Sequence, residues 1–577
     1  MRFALAGLAF ACVATTTSAQ ASKTAVKICP IKGQQFPIPT RLSQESLFQN
    51  VTRSIEDHIK ANLTSSPYNE TTFSLGLFSV DEDQLLYQYA HTDATVRNST
   101  LGTQSADADS IYRIASISKV LTVYLWMIKE GDRRWNDPVA EHIPELAQID
   151  RSQYDYAVPG WNEITIGDLA SYLAGVARDY GLNELALQNY VTSFLPADVN
   201  KLPDNVPQSE VPVCGFLTAN ISYMTCTGQQ SVHGIGELAA SFPPGYTPLY
   251  SNANFALLGI ALANLVGQSI EGIFNESLVE PLGLTGTTLS NPKSTVTRFV
   301  VPGGDEQKTG WNNALGPQNP AAGAFSTVKD MAAIGRAILN SSLTAKSTTR
   351  RWFSSTSFVD LTDQALGRGW EIFRRQSDGH SIDIYTKSGF WGAYTSIFAL
   401  IPEYNVGFTV LTAASRAYGK VRDELPNIIV NAMLPGLDNI SRQQAHRNFA
   451  GHYTLSDNSN TSIAVTTDSL PGLRLTEYIS NGVDLIEAVF GKDGDFRPIP
   501  NHLYNGNKVG FTGVYQAPQK QLPDGTWYWP CQTWLDIDDF TYGNVPLGQF
   551  VFEVDESGRA YSVELKALRQ KLERKQV

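Results

Sequence analysis

The sequence predicts a mixed α/β (α+β) fold, in which helices flank an antiparallel sheet with an inserted helical lobe, followed by an all-β module. Three observations support this prediction. Strand-like segments stand before and after a mainly helical middle region, as expected when a helical lobe interrupts a sheet. The chain of 577 residues is longer than one typical domain. Beyond residue 450, short strand-like runs alternate with turn residues, which is typical of a small barrel.

The N terminus has the features of a secretory signal peptide over residues 1–19. Arg2 gives a positive start, Phe3–Val13 is apolar, and Thr17–Ala19 is a small-residue cleavage site. The apolar run is shorter than the ~20 residues that a membrane-spanning helix needs, which argues against an anchor. We therefore expect a secreted, extracellular protein with no membrane span.

The first predicted domain, residues 20–435, alternates between β-rich and α-rich regions. Its predicted elements are a strand pair at 72–92, a mostly helical region at 163–280 with a loop-rich insert near 195–232, strands at 382–390, 394–401 and 406–413, and an amphipathic helix around 417–434. The polar segment 436–450 contains Gly and Pro and is predicted to be a linker. Residues 451–577 are predicted to form the barrel-like β module, which ends in a solvated basic helix.

Charge and cysteine content narrow the functional classes. The net charge of −12 argues against nucleic acid and anionic membrane surfaces as partners. Cys12 lies in the predicted signal peptide, and the even number of cysteines that remains in an exported chain suggests two disulfides. We expect Cys214–Cys226, which closes a short loop, and Cys29–Cys531. No CxxC or HExxH spacing is present, so neither a metal nor another cofactor is expected.

Sequons for N-glycosylation also fit a secreted protein. They lie at Asn50, Asn62, Asn69, Asn98, Asn220, Asn275, Asn340, Asn439 and Asn460. Their excess over chance is mild, so they agree with export without establishing it.

A lysine at the start of an apolar helix is the first indication of chemistry. The chain is almost wholly apolar from Val120 to Ile128, so this helix is expected to be buried on all sides. Ser116 precedes Lys119 by three residues and therefore lies on the same helical face. A buried ammonium is costly unless it is paired or deprotonated, and a neutral lysine can accept the proton of a nucleophilic serine.

The S-x-x-K pattern occurs three times, and its context separates the copies. Ser290–Lys293 contains a proline, which argues against a helical face. Ser326–Lys329 opens an amphipathic helix with its own capping box, for which a structural role suffices. Only Ser116–Lys119 leads into a helix without a polar face, so this pair is the candidate nucleophile and base.

Four segments, in chain order, resemble a known superfamily: DSIYRIASISKVLTV, FPPGYTPLYSNANFALLGIAL, GAFSTVKDMAAIGRAIL and YTKSGFWGAYTSIFALIPEYNVGFTVLT. The chain is similar over roughly residues 70–435 to the serine β-lactamase and penicillin-binding D-alanyl peptidase superfamily, and most similar to its class C-like branch with a Tyr-x-Asn motif. It looks like a secreted, fungal-type β-lactamase-related serine hydrolase with a C-terminal β module. Gly451–Tyr453 looks like the start of that module. The resemblance implies a β-lactamase/transpeptidase-like sheet in the first domain.

The resemblance also implies roles for the residues that match its motifs. Ser116 would accept the acyl group and Lys119 would accept the serine proton. Tyr250 would pass a proton to or from the leaving group, and Asn252 would hydrogen-bond the substrate or Lys119. Lys387, in Lys-Ser-Gly, would lie on a strand that lines the cleft.

The same strand is expected to complete the site. The backbone N–H groups of Ser116 and Phe390 would form the oxyanion hole, and two such donors contribute several kcal/mol of barrier lowering. Ser388, Gly389 and Trp391 would line the substrate-binding cleft.

The sequence departs from its relatives in ways that affect the cleft. The strings Lys308–Gly310 and Ser456–Asn458 match motif letters, but they lie in loops and in the wrong order, so ordinary turn chemistry is expected. The long spacing before Tyr250 is filled by the cysteine-containing insert, which can wall or cover the cleft. Tyr172–Gly175 replaces the His-Thr-Ser-Gly of relatives, and no carboxylate is assigned to deacylation.

Three functions are compatible with these residues. The favoured interpretation is a secreted serine hydrolase that cleaves a small-molecule ester, amide or peptide through a covalent acyl-serine intermediate. An acyltransferase or cyclase of the same fold, acting in small-molecule biosynthesis, needs the same intermediate, and nothing in the sequence separates the two. A non-catalytic binding protein on this fold is the third, against which the intact motif residues argue. The sequence leaves the oligomeric state open.

Overall fold

The structure, a computed structural model, describes most of the chain after residue 30. The described residues are 31–150, 160–187, 205–218, 222–292, 297–377, 380–415, 419–455, 460–491, 495–516 and 532–575. The chain divides into a larger unit, Lys32–Asn448, and a smaller unit that includes Phe449–Val577. The predicted signal peptide and the predicted Cys29–Cys531 bridge lie outside the described residues.

The larger unit is built on antiparallel strands. These strands are β1 Thr71–Ser79, β2 Tyr87–His91, β3 Tyr112–Arg113, β4 Phe325–Ser326, β5 Ser357–Phe358, β6 Gln364–Leu366, β7 Glu371–Ser377, β8 His380–Trp391, β9 Tyr394–Ile401 and β10 Val406–Ala414. Eight of them form one sheet in the order β2-β1-β10-β9-β8-β7-β6-β5, while β3 pairs with β4. The strand from the start of the domain therefore lies beside the last one, as expected for a sheet with an inserted helical lobe.

Helices cover both faces of this sheet. They are α1 Ser46–Asn62, α2 Ala94–Arg97, α3 Ser118–Glu130, α4 Val139–His142, α5 Ile166–Ala170, α6 Gly228–Gly236, α7 Asn252–Val266, α8 Ile270–Phe274, α9 Glu280–Leu282, α10 Glu306–Thr309, α11 Asn319–Ala322, α12 Val328–Asn340, α13 Lys346–Trp352 and α14 Lys420–Phe449. One face packs against α1 and α14. The other face packs against α3, α7 and α12, which confirms the predicted fold class.

The two apolar helices beside the site are buried as expected. Every residue of α3 from Ser118 to Met127 is buried, and most of α7 is buried with it. In the part of the chain that the structure describes, no single helix is long and apolar enough to cross a membrane. Among the described helices, only Asn252–Val266 and Ile270–Leu282 taken together have the length and apolar composition of a membrane span, and the two are bent by 83° relative to each other.

Two predicted segments before the smaller unit differ from the structure. The described part of residues 163–280 is less helical than predicted, because α5 ends at Ala170 and Tyr172 then takes a left-handed φ of 63° that no helix continues. The predicted linker 436–450 was wrong, since α14 runs on to Phe449. The helix continues through Pro435 because the residues beyond it, including Leu437, are buried in the core shared with α1.

The smaller unit is β-rich, as predicted. Its elements are β11 Gly451–Thr454, β12 Ser462–Thr466, β13 Arg474–Ser480, β14 Val483–Asp484, α15 Leu485–Phe490, β15 Asp495–Asn505, β16 Lys508–Gln516, α16 Gln532–Leu535, β17 Thr541–Tyr542, β18 Val545–Pro546, β19 Gln549–Val554, β20 Ala560–Leu565 and β21 Gln570–Arg574. Nine strands form one sheet in the order β14-β13-β12-β11-β21-β20-β19-β16-β15. Leu473 N–H, just before β13, donates to Pro498 O of the edge strand β15 at 2.9 Å, so the sheet curls towards closure.

The basic C-terminal segment pairs as a strand instead of forming the predicted solvated helix. In β20 and β21, Val563 and Leu565 pair with Leu572 and Gln570. The alternation of buried Val563, Leu565 and Leu572 with more exposed charged residues follows the period of a strand. Charge content alone therefore gave the wrong secondary structure here.

Most sequon asparagines are accessible. Asn50, Asn69, Asn98, Asn275, Asn340 and Asn460 are exposed, Asn62 and Asn439 are half-buried, and Asn220 lies outside the described residues. Glycosylation at these positions stays a prediction.

A buried acid gives the larger unit a testable pH dependence. Burial, with the nearby charge of Asp383, raises the pKa of Glu403 from 4.5 to about 7. The folded state therefore holds a proton that the unfolded chain releases above about pH 4.5. This contribution to stability is complete below that pH and is lost as pH rises through about 7, which amounts to about 3 kcal/mol.

We expect Glu403→Gln to remove this loss, so that the variant is more stable than wild type at pH 8 and similar to it at pH 4.5. Thermal melting of both proteins across this range measures the difference. The exposed acid Glu70 provides the matched control, Glu70→Gln. An identical pH dependence in wild type and Glu403→Gln would contradict the assignment.

Candidate active site

The candidate nucleophile lies in a sharp turn at the entrance to α3. Ser116 belongs to the 3-10 turn Ala115–Ile117, which leads directly into the helix. Ala115 has a φ of 46°, in the left-handed region that residues other than glycine seldom adopt, and such strain is often found at functional sites. Lys119 follows one helical turn later, with its Nζ 3.1 Å from Ser116 Oγ.

Lys119 is fully buried, and its amine has three oxygen neighbours. Besides Ser116 Oγ, these are Asn252 Oδ1 at 2.6 Å and the Ala321 carbonyl at 2.8 Å. Burial lowers the pKa of Lys119, and the ammonium of Lys387 lowers it further, whereas Tyr250 acts in the opposite direction. A neutral amine suits this geometry, since its two N–H groups can donate to Asn252 and Ala321 while its lone pair accepts the Ser116 proton.

Tyr250 contacts the nucleophile from the other side. Its hydroxyl lies 2.8 Å from Ser116 Oγ, and its ring centroid lies 4.9 Å from Lys119 Nζ and 5.1 Å from Lys387 Nζ. Burial acts to raise the pKa of Tyr250, but the two lysines and the hydrogen bond with Ser116 outweigh it and lower the pKa to about 8. The tyrosine can therefore exchange a proton near neutral pH.

The three groups form one proton relay. In one arrangement Tyr250 O–H donates to Ser116, whose O–H donates to a neutral Lys119. In the other, Lys119 is an ammonium that donates to Ser116, whose O–H donates to a Tyr250 phenolate. The two arrangements have the same total charge and differ by two proton shifts through Ser116, so the apparent pKa belongs to the network and not to one residue.

Lys387 lies on β8 and is paired with an acid that the sequence analysis did not identify. Its Nζ forms an ion pair with Glu371, at the start of β7. The Ser388 N–H and hydroxyl both lie 3.0 Å from Glu371 Oε2. Burial acts to lower the pKa of Lys387, but Glu371 and Tyr250 outweigh it and the pKa is raised.

These groups open onto one cavity of about 730 Å³. Of the predicted site residues, it is lined by Ser116, Tyr250, Asn252, Lys387, Ser388, Gly389, Phe390 and Trp391. Lys119 lies fully buried behind the nucleophile. The structure thus brings together every residue predicted for the site.

A close approach places β8 beside the nucleophile. A Cβ at Gly389 would lie 2.3 Å from Ile114 O and 3.1 Å from Ser116 N, so only glycine fits here. The strand backbone next to Phe390 therefore runs alongside the Ser116 N–H. The oxyanion hole from the N–H groups of Ser116 and Phe390 stays a prediction.

Three further side chains hold Tyr250 and Asn252. Tyr172 stacks on Tyr250 with ring centroids 5.7 Å apart and planes 15° apart, and its hydroxyl donates to Gly369 O at 3.2 Å. Asn252 Nδ2 donates to the buried Asp179 Oδ1 at 2.8 Å, which orients the amide oxygen towards Lys119. Arg178 lies 4.8 Å from the Tyr250 ring. Only Tyr172 had been noted in the sequence, as a departure from relatives.

Two segments outside the sheet contribute walls to the cavity. Buried Arg113 donates to the carbonyls of Gly310, Trp311 and Asn313, each at 2.9 Å, and so fixes the loop after α10. Lys308, in α10, and Gly310, at its C-terminal end, line the cavity, so the string that had been assigned only turn chemistry contributes to the wall. It does not replace Lys387 next to Tyr250.

The cysteine-containing insert forms the other wall. Its described part contains the predicted disulfide Cys214–Cys226. Between the two cysteines, Leu217 lines the cavity, and Tyr223 packs edge-on against Trp391 with ring centroids 5.7 Å apart. The insert therefore shapes the cavity, as its length suggested.

The other S-x-x-K string within the described residues, Ser326–Lys329, does not line the cavity. Lys329 forms an ion pair with Asp109 on the surface, and Thr327 Oγ1 caps α12 by accepting from Asp330 N–H. Lys293 and the string 456–458 lie outside the described residues.

Together, an antiparallel sheet between helices and a buried serine–lysine–tyrosine network at its cleft define the class of β-lactamase-fold serine hydrolases. A family model described as "Beta-lactamase" matches residues 79–430, more than half of the chain, and the chain belongs to this family. A second model, described as "Beta-lactamase-like-like, C-terminal domain", matches residues 441–576. The predicted superfamily is thereby confirmed.

Similar proteins come from fungi and bacteria. A "Beta-lactamase-like protein" of Arthroderma benhamiae is 27% identical, with 96% of each chain covered. A protein of Phoma sp. named as a probable hydrolase is 26% identical, covering 92% of this chain and 89% of its own. The "D-alanyl-D-alanine-carboxypeptidase/endopeptidase AmpH" of Escherichia coli is 26% identical over 53% of this chain and 71% of its own.

Two distant solved structures are also similar to this chain. A D-stereospecific amidohydrolase from Streptomyces sp. has a TM-score of 0.46 and 17% identity, covering 67% of this chain and 99% of its own. An octameric penicillin-binding protein homologue from Pyrococcus abyssi has a TM-score of 0.47 and 16% identity, covering 90% of this chain and 99% of its own.

The stack of Tyr172 on Tyr250 gives a testable prediction. Tyr172→Phe keeps the ring and should leave kcat/KM for ester hydrolysis within about threefold of wild type. Tyr172→Leu removes an aromatic pair of about 0.5–1.5 kcal/mol and frees Tyr250 to move, so kcat/KM should fall about tenfold. Titration of the candidate nucleophile Ser116 with a fluorophosphonate normalises both rates per folded site. Equal losses in the two variants would show that the stack does not position Tyr250.

Proposed function

We propose that this protein is a secreted serine hydrolase that cleaves a small-molecule ester, amide or peptide through an acyl-Ser116 intermediate. The observation that carries the proposal is the relay Lys119–Ser116–Tyr250, with 3.1 Å and 2.8 Å separations, which faces a cavity of about 730 Å³. The names of relatives, a probable hydrolase and a carboxypeptidase/endopeptidase, agree with hydrolysis.

Acylation follows from this geometry. Ser116 Oγ bonds to the substrate carbonyl carbon while its proton moves to Lys119 Nζ. The N–H groups of Ser116 and Phe390 receive the oxyanion. The bond to the leaving group then breaks as Tyr250 gives that group its proton, and the proton on Lys119 replaces the one that Tyr250 lost.

Deacylation uses the same groups in reverse. Water takes the place of the leaving group, and the lysine–tyrosine pair accepts its proton as the water oxygen bonds to the acyl carbon. Collapse of this second intermediate returns the proton to Ser116 Oγ and releases the acid. No separate carboxylate is required for this step, because the pair that protonated the leaving group is in place to deprotonate water.

The nucleophile and its base can be tested directly. We expect a fluorophosphonate to add one label to Ser116 of wild type, detected by intact mass and peptide mapping. Ser116→Ala should take no label, and Lys119→Ala should slow labelling at least 10³-fold, since nucleophile and base act as a unit. The matched control is Lys329→Ala, in the other described S-x-x-K string, which should label at the wild-type rate. Loss of labelling in Lys329→Ala but not in Lys119→Ala would mean that the wrong pair was chosen.

The pH profile provides an independent test of the relay. Acylation needs the Lys119–Tyr250 pair to have lost one proton, so kcat/KM should rise with pH and level off near the apparent pKa of about 8. The charge of Lys387 lowers the pKa of both groups, so Lys387→Met should move the rising limb to higher pH. A limb that stays in place, or moves to lower pH, would contradict this arrangement.

Acyl transfer to an acceptor other than water is the alternative outcome of the same intermediate. Product analysis of an ester series with increasing acyl length, with and without added alcohols or amines, separates the two. Hydrolysis is supported if the free acid remains the main product throughout. Predominant formation of the new ester or amide would favour the transferase.

A further inference from the structure

Three donors of β8 converge on a single internal carboxylate. Lys387 Nζ, Ser388 N–H and Ser388 O–H all contact Glu371. An ammonium with two further N–H or O–H donors is a complete set for binding a carboxylate. In this protein a residue of the chain itself occupies the set.

The position of Glu371 is fixed by the sheet. Glu371 begins β7 and pairs in register with Thr386 of β8, whose hydroxyl donates to the Glu371 carbonyl at 2.8 Å. The residue before it, Trp370, is fully buried. The carboxylate is therefore held by two strands and does not depend on a mobile surface loop.

Both partners are ionised in this pair. Burial acts to raise the pKa of Glu371, but Lys387 and the hydrogen bonds of Ser388 outweigh it and lower the pKa. The opposite balance raises the pKa of Lys387. The wall formed by Lys387 and Ser388 therefore carries little net charge, and its strongest donors already have an acceptor.

This wall borders the leaving-group side of the cavity. Tyr250, the group that serves the leaving atom in the proposed function, has its ring centroid 5.1 Å from Lys387 Nζ. Lys387 and Ser388 line the same cavity as Ser116. A group attached to the leaving atom would thus come near the donors that Glu371 occupies.

We propose that Glu371 is a specificity-determining residue that acts through Lys387 and Ser388 to select acyl donors whose leaving group carries no carboxylate. The inference rests on the proposed function. A neutral ester or amide leaving group would contact Lys387 and Ser388, whose charge and donors Glu371 already balances, so it would experience no repulsion. A leaving group with a free carboxylate meets the negative charge of Glu371 and finds the three donors engaged, so two carboxylates would compete for one ammonium.

A matched pair of esters tests this selection. Hippuryl glycolamide ester and hippuryl glycolate differ only by a terminal carboxamide in place of a carboxylate. Wild type should prefer the glycolamide ester by at least 30-fold in kcat/KM. Glu371→Gln, which keeps the shape but removes the charge, should raise kcat/KM for the glycolate ester at least tenfold and change that for the glycolamide ester much less.

Two controls separate charge from structure. Glu371→Asp keeps the charge and should keep the preference for the glycolamide ester. Glu276, which pairs with Lys129 on the surface, gives the distant control Glu276→Gln, which should match wild type. General damage to the fold would lower both rates together and leave their ratio unchanged, and fluorophosphonate titration of Ser116 counts the folded sites.

The outcomes distinguish this inference from the proposed function. A wild-type enzyme that prefers the glycolate ester, or a ratio unchanged in Glu371→Gln, overturns the role of Glu371 while Ser116 still labels and turns over. The wild-type ratio alone decides the matter if Glu371→Gln does not fold. Failure of Ser116 to label in wild type instead overturns the proposed function itself.

Discussion

The burial of one amine is the constraint on which the site depends. Lys119 lies in the first turn of the apolar helix α3, and its side chain is fully buried, so an unpaired charge there would cost several kcal/mol. Its three oxygen neighbours come from different elements: Ser116 from the turn before α3, Asn252 from the start of α7, and Ala321 from α11. Satisfying this one nitrogen therefore fixes how three helices meet at the nucleophile. The same burial that makes the amine costly to charge makes it able to accept a proton.

Two lysines of the cleft carry opposite protonation preferences because their partners differ. The oxygens around Lys119 belong to an amide, a carbonyl and a hydroxyl, none of which offsets a positive charge, so burial lowers the pKa. Lys387 is as buried but has the carboxylate of Glu371, so its charge is retained. Tyr250 lies between the two, and the retained charge helps to lower its own pKa. Groups whose environments push their pKa values apart are what acid–base chemistry at one pH requires.

The sequence predicted what short-range patterns encode. The helix spacing identified Ser116 with Lys119, and the resemblance added Tyr250, Asn252 and Lys387, which the fold brings to one cavity. The sequence could not identify the partners that the sheet and the loops bring to the site. Glu371 and Asp179 stand in no local motif, and their roles become visible only when folding places Lys387 and Asn252 beside them. The prediction of a linker at 436–450 was wrong for a similar reason. The Pro and Gly residues at its start indicated a break, whereas burial against α1 keeps the helix continuous.

The chemistry and the choice of substrate are encoded in different parts of the chain. The relay is built from residues at the starts of α3 and α7, with Lys387 of β8 beside it, and cores on both faces of the sheet hold these elements. The walls come from the loop that Arg113 holds through three carbonyls and from the insert closed by Cys214–Cys226. Arg113 keeps its charge near neutral pH, because burial lowers its pKa only to about 9, and its Nη1 donates to the three carbonyls. Since these walls can change without disturbing Lys119, the substrate can differ from that of any relative while the proposed acylation step stays the same.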